Sequence, residues 1–255
     1  SKGQTEMFNY LAGLGVQVSA NYRYGQTHKK EIDIYVKGLK LGIEYDGLPW
    51  HSTKYRTKEQ QLAKSTELAD LGIRLIRIFE DEWLERKGQI KEYLNYQFGK
   101  VPDNYYVADC SIIDISPTEA ETFHNSRQVK MQDVKDINKA LVYKDKIVAV
   151  LSMSSTQKGL KLLCFSSAFK SAQAGKALLT EILRETKAKY VEAYMDNRLE
   201  SSDTYFRMGF TNPVKIGAKF KYWLDGSNNR EDISRQGFPY YQIYDDGLTK
   251  WELNV

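Results

Sequence analysis

Hydrophobic and polar positions follow two rhythms in the N-terminal part of the chain. Met7, Leu11 and Leu14 recur at helical spacing, with Phe8 and Tyr10 beside them. This predicts a helix from about Gly3 to Leu14, capped by Ser1 and stopped by Gly13 and Gly15. VQVSANYRY then reads as a strand and GQTHKK as a polar loop. In EIDIYV the period drops to two: Ile32, Ile34 and Val36 share one face, and Glu31, Asp33 and Tyr35 the other. A turn starts at Lys37-Gly38, and KLGIEYDG repeats the alternation, with Leu41, Ile43 and Tyr45 opposed to Gly42, Glu44 and Asp46. Pairing the two strands in register sets Asp33 on the same side as Glu44 and Asp46. KEQQLAKSTELADL predicts a helix ended by Gly72, GIRLIRIF a strand, and EDEWLERKGQIKEYLNYQF a helix whose leading acids, Glu80, Asp81 and Glu82, suit the helix dipole. The order α-β-β-β-α-β-α predicts a mixed-sheet α/β unit.

GKVPDN, at 99–104, combines Gly, Pro, Asp and Asn and reads as a linker between a first domain, 1–98, and a second, 105–255. After it come a strand in YYVADCSIIDI and a helix with Ser116 as N-cap and Pro117 at its first position. A hairpin around Lys144-Asp145-Lys146 follows, then a strand in KGLKLLCFSS. AGKALLTEILRET reads as an amphipathic helix, AKYVEAYMD as a strand, and SSDTYFRMGF as a short helix closed by Gly209. His124, at a helix end, reads as a surface residue. Residues 211–255 are rich in aromatics, Gly and Asn, and no internal repeat is found.

Composition changes this picture little. Of 255 residues 42% are hydrophobic and 27% charged, an ordinary soluble globular balance. No apolar run approaches the ~18 residues of a membrane span, and no signal peptide opens the chain. A cytoplasmic protein with no membrane partner is expected. The abrupt start, SKGQTEMF, suggests an upstream segment. Cys110 and Cys164 stand in no metal-ligand spacing and read as buried thiols in a reducing compartment. A net charge of +4 permits nucleic-acid binding without demanding it.

Acids on one face of a hairpin are often simply solvated. Here flanking helices leave little sheet surface open, so Asp33, Glu44 and Asp46 need a counter-charge. A divalent cation with oxygen ligands is the simplest one. His51 is suited to move a proton near neutral pH. Metal, acids and histidine together point to phosphodiester hydrolysis.

Four blocks over residues 1–96, SKGQTEM, EIDIYV, IEYDGLPWHS and GIRLIRIFEDEW, resemble the PD-(D/E)xK nuclease superfamily. They are most similar to the branch of very-short-patch mismatch-repair endonucleases and phage homing endonucleases with an E-D-x-H-D signature. The resemblance implies a metal-dependent DNA endonuclease using Mg²⁺ or Mn²⁺ on double-stranded DNA, phage-encoded and working in a bacterial cytoplasm. It gives Glu6 the helical acid reaching the metal through water, Asp33 a direct ligand, and His51 the general base or acid. Glu44 holds the E of an E-x-K motif whose lysine is missing, and Asp46 stands where the mismatch enzymes have a histidine. The main-chain carbonyl of Tyr45 is a further ligand by the same analogy. One site implies a nick, and a double-strand break a homodimer. Gln4 replaces a glutamate of the phage relatives, which opens the alternative of a catalytically decayed DNA-binding protein. Tyr22, Arg23, Tyr24, His28, Lys29 and Lys30 are candidate DNA contacts, and Trp50 a candidate wedge.

Residues 105–225 resemble the GNAT acetyltransferase-like fold, through the element order and YFRMGF as a Y-x-x-x-G-F ending. The resemblance implies a Q/R-x-x-G-x-G/A loop that holds the pyrophosphate of acetyl-CoA at a helix N-terminus. Gln173-Ala174-Gly175-Lys176-Ala177 is one residue short of it. The expectation for this domain is DNA binding or scaffolding, with Arg127, Lys130, Lys215, Lys219, Lys221, Tyr222 and Trp223 as contacts. Acyl transfer is the alternative.

Overall fold

A computed structural model describes all residues except 26–29, 102–104, 131–133 and 135. The chain divides into two units: residues 1–85 with 217–247, and residues 86–216 with 248–255. The division falls at Glu85 rather than at 99–104, of which 102–104 lie outside the described residues. Residues 217–247, expected in the second domain, belong to the first unit.

The first unit runs α1 (Lys2–Gly13), β1 (Ser19–Tyr24), β2 (Lys30–Val36), β3 (Leu41–Asp46), α2 (Lys58–Asp70), β4 (Arg74–Phe79) and the start of α3 (Glu80–Gln97). This is the element order that the periodicities predict. Ser1 caps α1, with its Oγ accepting from the Gln4 N–H at 3.2 Å, while the Gln4 side chain reaches back to the Ser1 amino group. Gln4 therefore closes a capping box, which satisfies two otherwise orphaned donors. The strands form one sheet in chain order, antiparallel except for β3 beside β4. Leu68 of α2 packs with Tyr24, Ile32, Tyr35 and Leu75. Residues 217–247 add a second, three-stranded sheet, β11 (Phe220–Leu224), β12 (Arg230–Glu231) and β13 (Tyr240–Tyr244), with β11 in the centre. Its Trp223 and Ile243 pack on Leu48 and Phe79. Helix α3 carries a non-helical residue, Arg86 (φ −127°, ψ 34°), where the chain leaves this unit.

The second unit contains β5 (Ser111–Asp114), α4 (Pro117–Asn125), β6 (Ile137–Tyr143), β7 (Lys146–Thr156), β8 (Gly159–Ser167), α5 (Ala172–Thr186), β9 (Tyr190–Asp196), α6 (Ser202–Met208), β10 (Thr211–Ile216) and β14 (Leu248–Asn254). They build a seven-stranded sheet in the order β10-β14-β9-β8-β7-β6-β5. All pairs are antiparallel except β8 beside β9. Ala120 and Phe123 of α4 pack on Ala140 and Val150. Leu178, Leu179 and Ile182 of α5 join the larger cluster, with Leu151, Leu162, Ala193, Tyr205 and Trp251. Ser116 and Pro117 cap α4 as expected. Among the described residues, no helix is long and apolar enough to cross a membrane.

Candidate active site

On the acidic face of the first unit Glu44 and Asp46 are buried, Asp33 is half-buried and Glu31 is exposed. Asp33 Oδ2 accepts from the Tyr45 N–H at 2.9 Å, and Glu44 Oε1 accepts from the Asp33 N–H at 2.9 Å. The expected register therefore brings Asp33 and Glu44 together. Lys64 of α2 pairs with the other oxygen of Glu44. Asp46, fully buried, accepts from Arg77 Nε at 2.7 Å and lies 3.3 Å from His51 Nε2. Arg77 also reaches Asp246, at 2.5 Å. Glu6 accepts from Trp83 Nε1 at 3.2 Å.

Burial pushes Asp33 up, and pushes Glu44 to about 7 against the pull of Lys64. Burial would raise Asp46 too, but Arg77 and His51 hold it below the usual carboxylate range. Burial lowers His51, against the attraction of Asp46. The expected counter-charge is therefore present, but it is Lys64 and Arg77 rather than a divalent ion. Among the described residues no group of three or more His, Cys, Asp or Glu side chains is placed to hold a metal.

The expected DNA contacts scatter. Tyr24 is a core residue, 4% exposed, and Trp223 is buried with its Nε1 donating to the Ser227 carbonyl at 2.8 Å. Neither can meet a macromolecule. Arg23 pairs with Glu31, Lys30 with Glu67 and Lys221 with Asp232. Tyr22 stacks on Tyr35. Trp50 is exposed, tilted against Tyr55, and Lys219 is exposed. His28 and Lys29 lie outside the described residues.

The second unit holds a different kind of site. β8 and β9 pair only at Leu160–Val191, Lys161–Glu192 and Leu162–Ala193, though the strands continue to Ser167 and Asp196. The cause lies on the other edge of β8. There Met153 faces Leu162 and Ser152 faces Cys164, so Leu163 is an extra residue, a bulge. A bulge bends and twists its strand, and this one falls where pairing with β9 ends. A cleft opens within the sheet, edged by main-chain groups that lack a strand partner.

Polar side chains gather at this cleft. Glu200 accepts from the Asp196 N–H at 2.7 Å and from the Tyr205 hydroxyl at 2.9 Å. Glu200 is exposed as a residue, yet the protein packed round its carboxyl pushes that group to about 7. Burial, and then Glu200, push Tyr205 well up. The Tyr205 ring lies parallel to Trp251, 5.9 Å away between centroids. Burial would raise Asp196, which Arg198 and Lys130 hold down. Burial raises the Cys164 thiol. Cys110, also expected to be buried, is half-buried.

His124 is the chief residue that sequence reasoning missed. It is fully buried, with Nδ1 2.8 Å from Ser166 Oγ and Nε2 2.9 Å from Ser152 Oγ. This corrects its reading as a surface residue; the spacing of Ala120, Phe123 and His124 was the signal that could have put it on the apolar face of α4. Gly175, in the incomplete phosphate-loop pattern, has a packing role. It sits inside α5, where a Cβ would come 2.9 Å from Met208 Sδ, so its bareness serves the packing of α5 on α6.

Residues 111–219 match the acetyltransferase (GNAT) domain family. Similar solved structures include an IAA acetyltransferase from Bacillus cereus, at 15% identity and a TM-score of 0.35, covering 57% of this chain and 99% of that one. A ribosomal-protein-S18-alanine N-acetyltransferase from Escherichia coli is similar at 13% identity and a TM-score of 0.34, covering 57% and 95%. An N-acetyltransferase from Staphylococcus aureus has 10% identity and a TM-score of 0.37, covering 57% and 98%. No protein of curated function matches the chain. On the family match, residues 111–219 form a GNAT-like α/β domain. The metal-dependent endonuclease reading of residues 1–98, with its Mg²⁺ or Mn²⁺, is corrected accordingly: the family that matches is an acetyltransferase domain, and Glu44 and Asp46 of the first unit are held by Lys64 and Arg77.

Proposed function

We propose that the second unit is an acyltransferase domain that takes an acyl thioester such as acetyl-CoA and acylates an amine. The parting of β8 from β9, inside the segment that matches the acetyltransferase family, carries this reading. The cleft fits such a donor in two respects. Its unpaired strand edges suit the amides of an extended arm, as a sheet edge suits an added strand. β8 then leads through Ser171, whose Oγ caps the Gln173 N–H, into the N-terminus of α5, where helix N–H groups favour phosphate.

When bound, the thioester supplies an electrophilic carbonyl and a thiolate leaving group. Glu200, near 7, is poised to take the proton of the attacking amine. Tyr205 holds a hydroxyl proton that it can give to the departing sulfur, and the proton on Glu200 then returns to the Tyr205 oxygen along their hydrogen bond. Both side chains end as they began.

Calorimetric titration of the whole chain with acetyl-CoA should show saturable binding below about 1 mM, within the usual substrate range. Absence of saturable binding to every form of the protein would remove the proposal. Glu200→Gln and Tyr205→Phe should each lower turnover of acetyl-CoA with an amine acceptor by about 10²-fold. The wild-type rate should rise with pH through about 7 as Glu200 ionises, and Glu200→Gln should lose that rise.

A further inference from the structure

The cleft between β8 and β9 is not empty of protein. Gln128, in the segment after α4, sends its side-chain amide to β8. Its Nε2 donates to the Phe165 carbonyl at 3.0 Å and to Ser166 Oγ at 2.9 Å. Two residues on, Lys130 pairs with Asp196 at the end of β9. One short segment thus ties both parted strands. Its backbone is held in place, because Arg86 Nη2 donates to the Asn125 and Gln128 carbonyls at 3.0 and 3.1 Å and Val129 is buried.

The hydrogens along this contact have a determined direction. Ser152 donates to Asn138 Oδ1 at 2.6 Å, so toward His124 it can only accept. His124 therefore carries its proton on Nε2 and donates to Ser152. Nδ1 is left as an acceptor and takes the Ser166 hydroxyl hydrogen. Burial, and then Arg127, lower His124 to about 4, so the ring is neutral and keeps this one tautomer. Ser166 consequently shows the cleft lone pairs alone. Phe165 O and Ser166 Oγ form a twin acceptor, which the two hydrogens of the Gln128 amide satisfy together.

We infer that Gln128 is an internal occupant of the acyl-donor cleft, which the donor must displace. The inference rests on the acyltransferase reading for the identity of the donor, but not for the occupancy. An amide group of the donor arm lying along β8 would need the main-chain carbonyl that Gln128 now holds. Rotation of one side chain clears it, with the backbone still clamped by Arg86. Binding is then weakened by the fraction of time the place is filled.

The test uses the full chain in a Cys110→Ser background, so that Cys164 is its sole thiol. Cys164 Sγ lies 3.8 Å from the same Ser166 Oγ that Gln128 contacts. Gln128→Ala and Gln128→Glu, the latter keeping size but losing both N–H groups, are compared with Gln128 for acetyl-CoA affinity and for the rate of Cys164 modification by methyl methanethiosulfonate. Both variants should bind acetyl-CoA about tenfold more tightly, as for a place filled about ten times as often as it is open. Both should also label Cys164 faster. Unchanged labelling overturns the occupancy, whatever the affinities. Faster labelling with unchanged acetyl-CoA affinity overturns the competition. Faster labelling with no acetyl-CoA binding by any form upholds the occupancy and sinks the acyltransferase reading instead.

Discussion

His124 shows how much one buried side chain can settle. Its ring joins Ser152 to Ser166 across β7 and β8, and each hydrogen bond has a defined donor. Its pH dependence has a defined sign. The folded ring titrates at about 4, below an unfolded value near 6.5, so the unfolded chain binds more protons between those limits. The stability it contributes is complete above about 6.5 and is lost as pH falls toward 4. Glu44 and Glu200, both raised to about 7, act in the opposite sense between the carboxylate range and 7. The prediction is therefore a difference: the urea midpoint of wild type relative to His124→Gln should fall as pH drops through this window. A constant difference would show that the histidine is not held neutral. The position of His124 on the apolar stripe of α4 could have been read from the sequence, but its two serine partners could not. Ser152 and Ser166 sit in strands whose alternation says only which way they face.

At the scale of elements, local signals performed well. Ser1 and Ser116 cap the helices they were expected to cap, and Asp33 meets Glu44 as the strand alternation requires. The bulge at Leu163 was not visible, because KLLCFSS reads as an unbroken apolar strand and the extra residue exists only relative to β7. Gly175 was visible, but its packing role was not. It stood in an incomplete phosphate motif, whereas its neighbour is the side chain of Met208. Gly175→Leu should accordingly destabilise the second unit by about 1–3 kcal/mol through overpacking. Adding Met208→Ala should recover much of that loss in a chemical-denaturation series. Additive losses would mean that Gly175 matters for another reason.

For the whole molecule, the division of the chain is the main surprise. Residues 217–247 return to the first unit, where Trp223 and Ile243 cover Leu48 and Phe79 and Asp246 completes the pairing of Arg77. A fragment of residues 1–98 would leave those apolar groups in water and Arg77 with one buried carboxylate partner fewer. Such truncation costs several kcal/mol, a large share of a typical domain's stability. The fragment should lack a cooperative thermal transition, and adding 217–247 through a flexible linker should restore one. A cooperative transition in the bare fragment would show that the second sheet is dispensable.

What the sequence determined by itself was local: the periods, the caps, the order of helices and strands, and the GNAT resemblance of the later segment. Each depends on residues close along the chain, where backbone geometry dictates which side chains share a face. The tertiary structure decided which charge answers which. Arg77 meets Asp246 across 169 positions, and His124 meets Ser166 across 42. Buried acids demand a partner, but the demand does not say whether a metal, a lysine or an arginine meets it, since all three lower the same electrostatic cost.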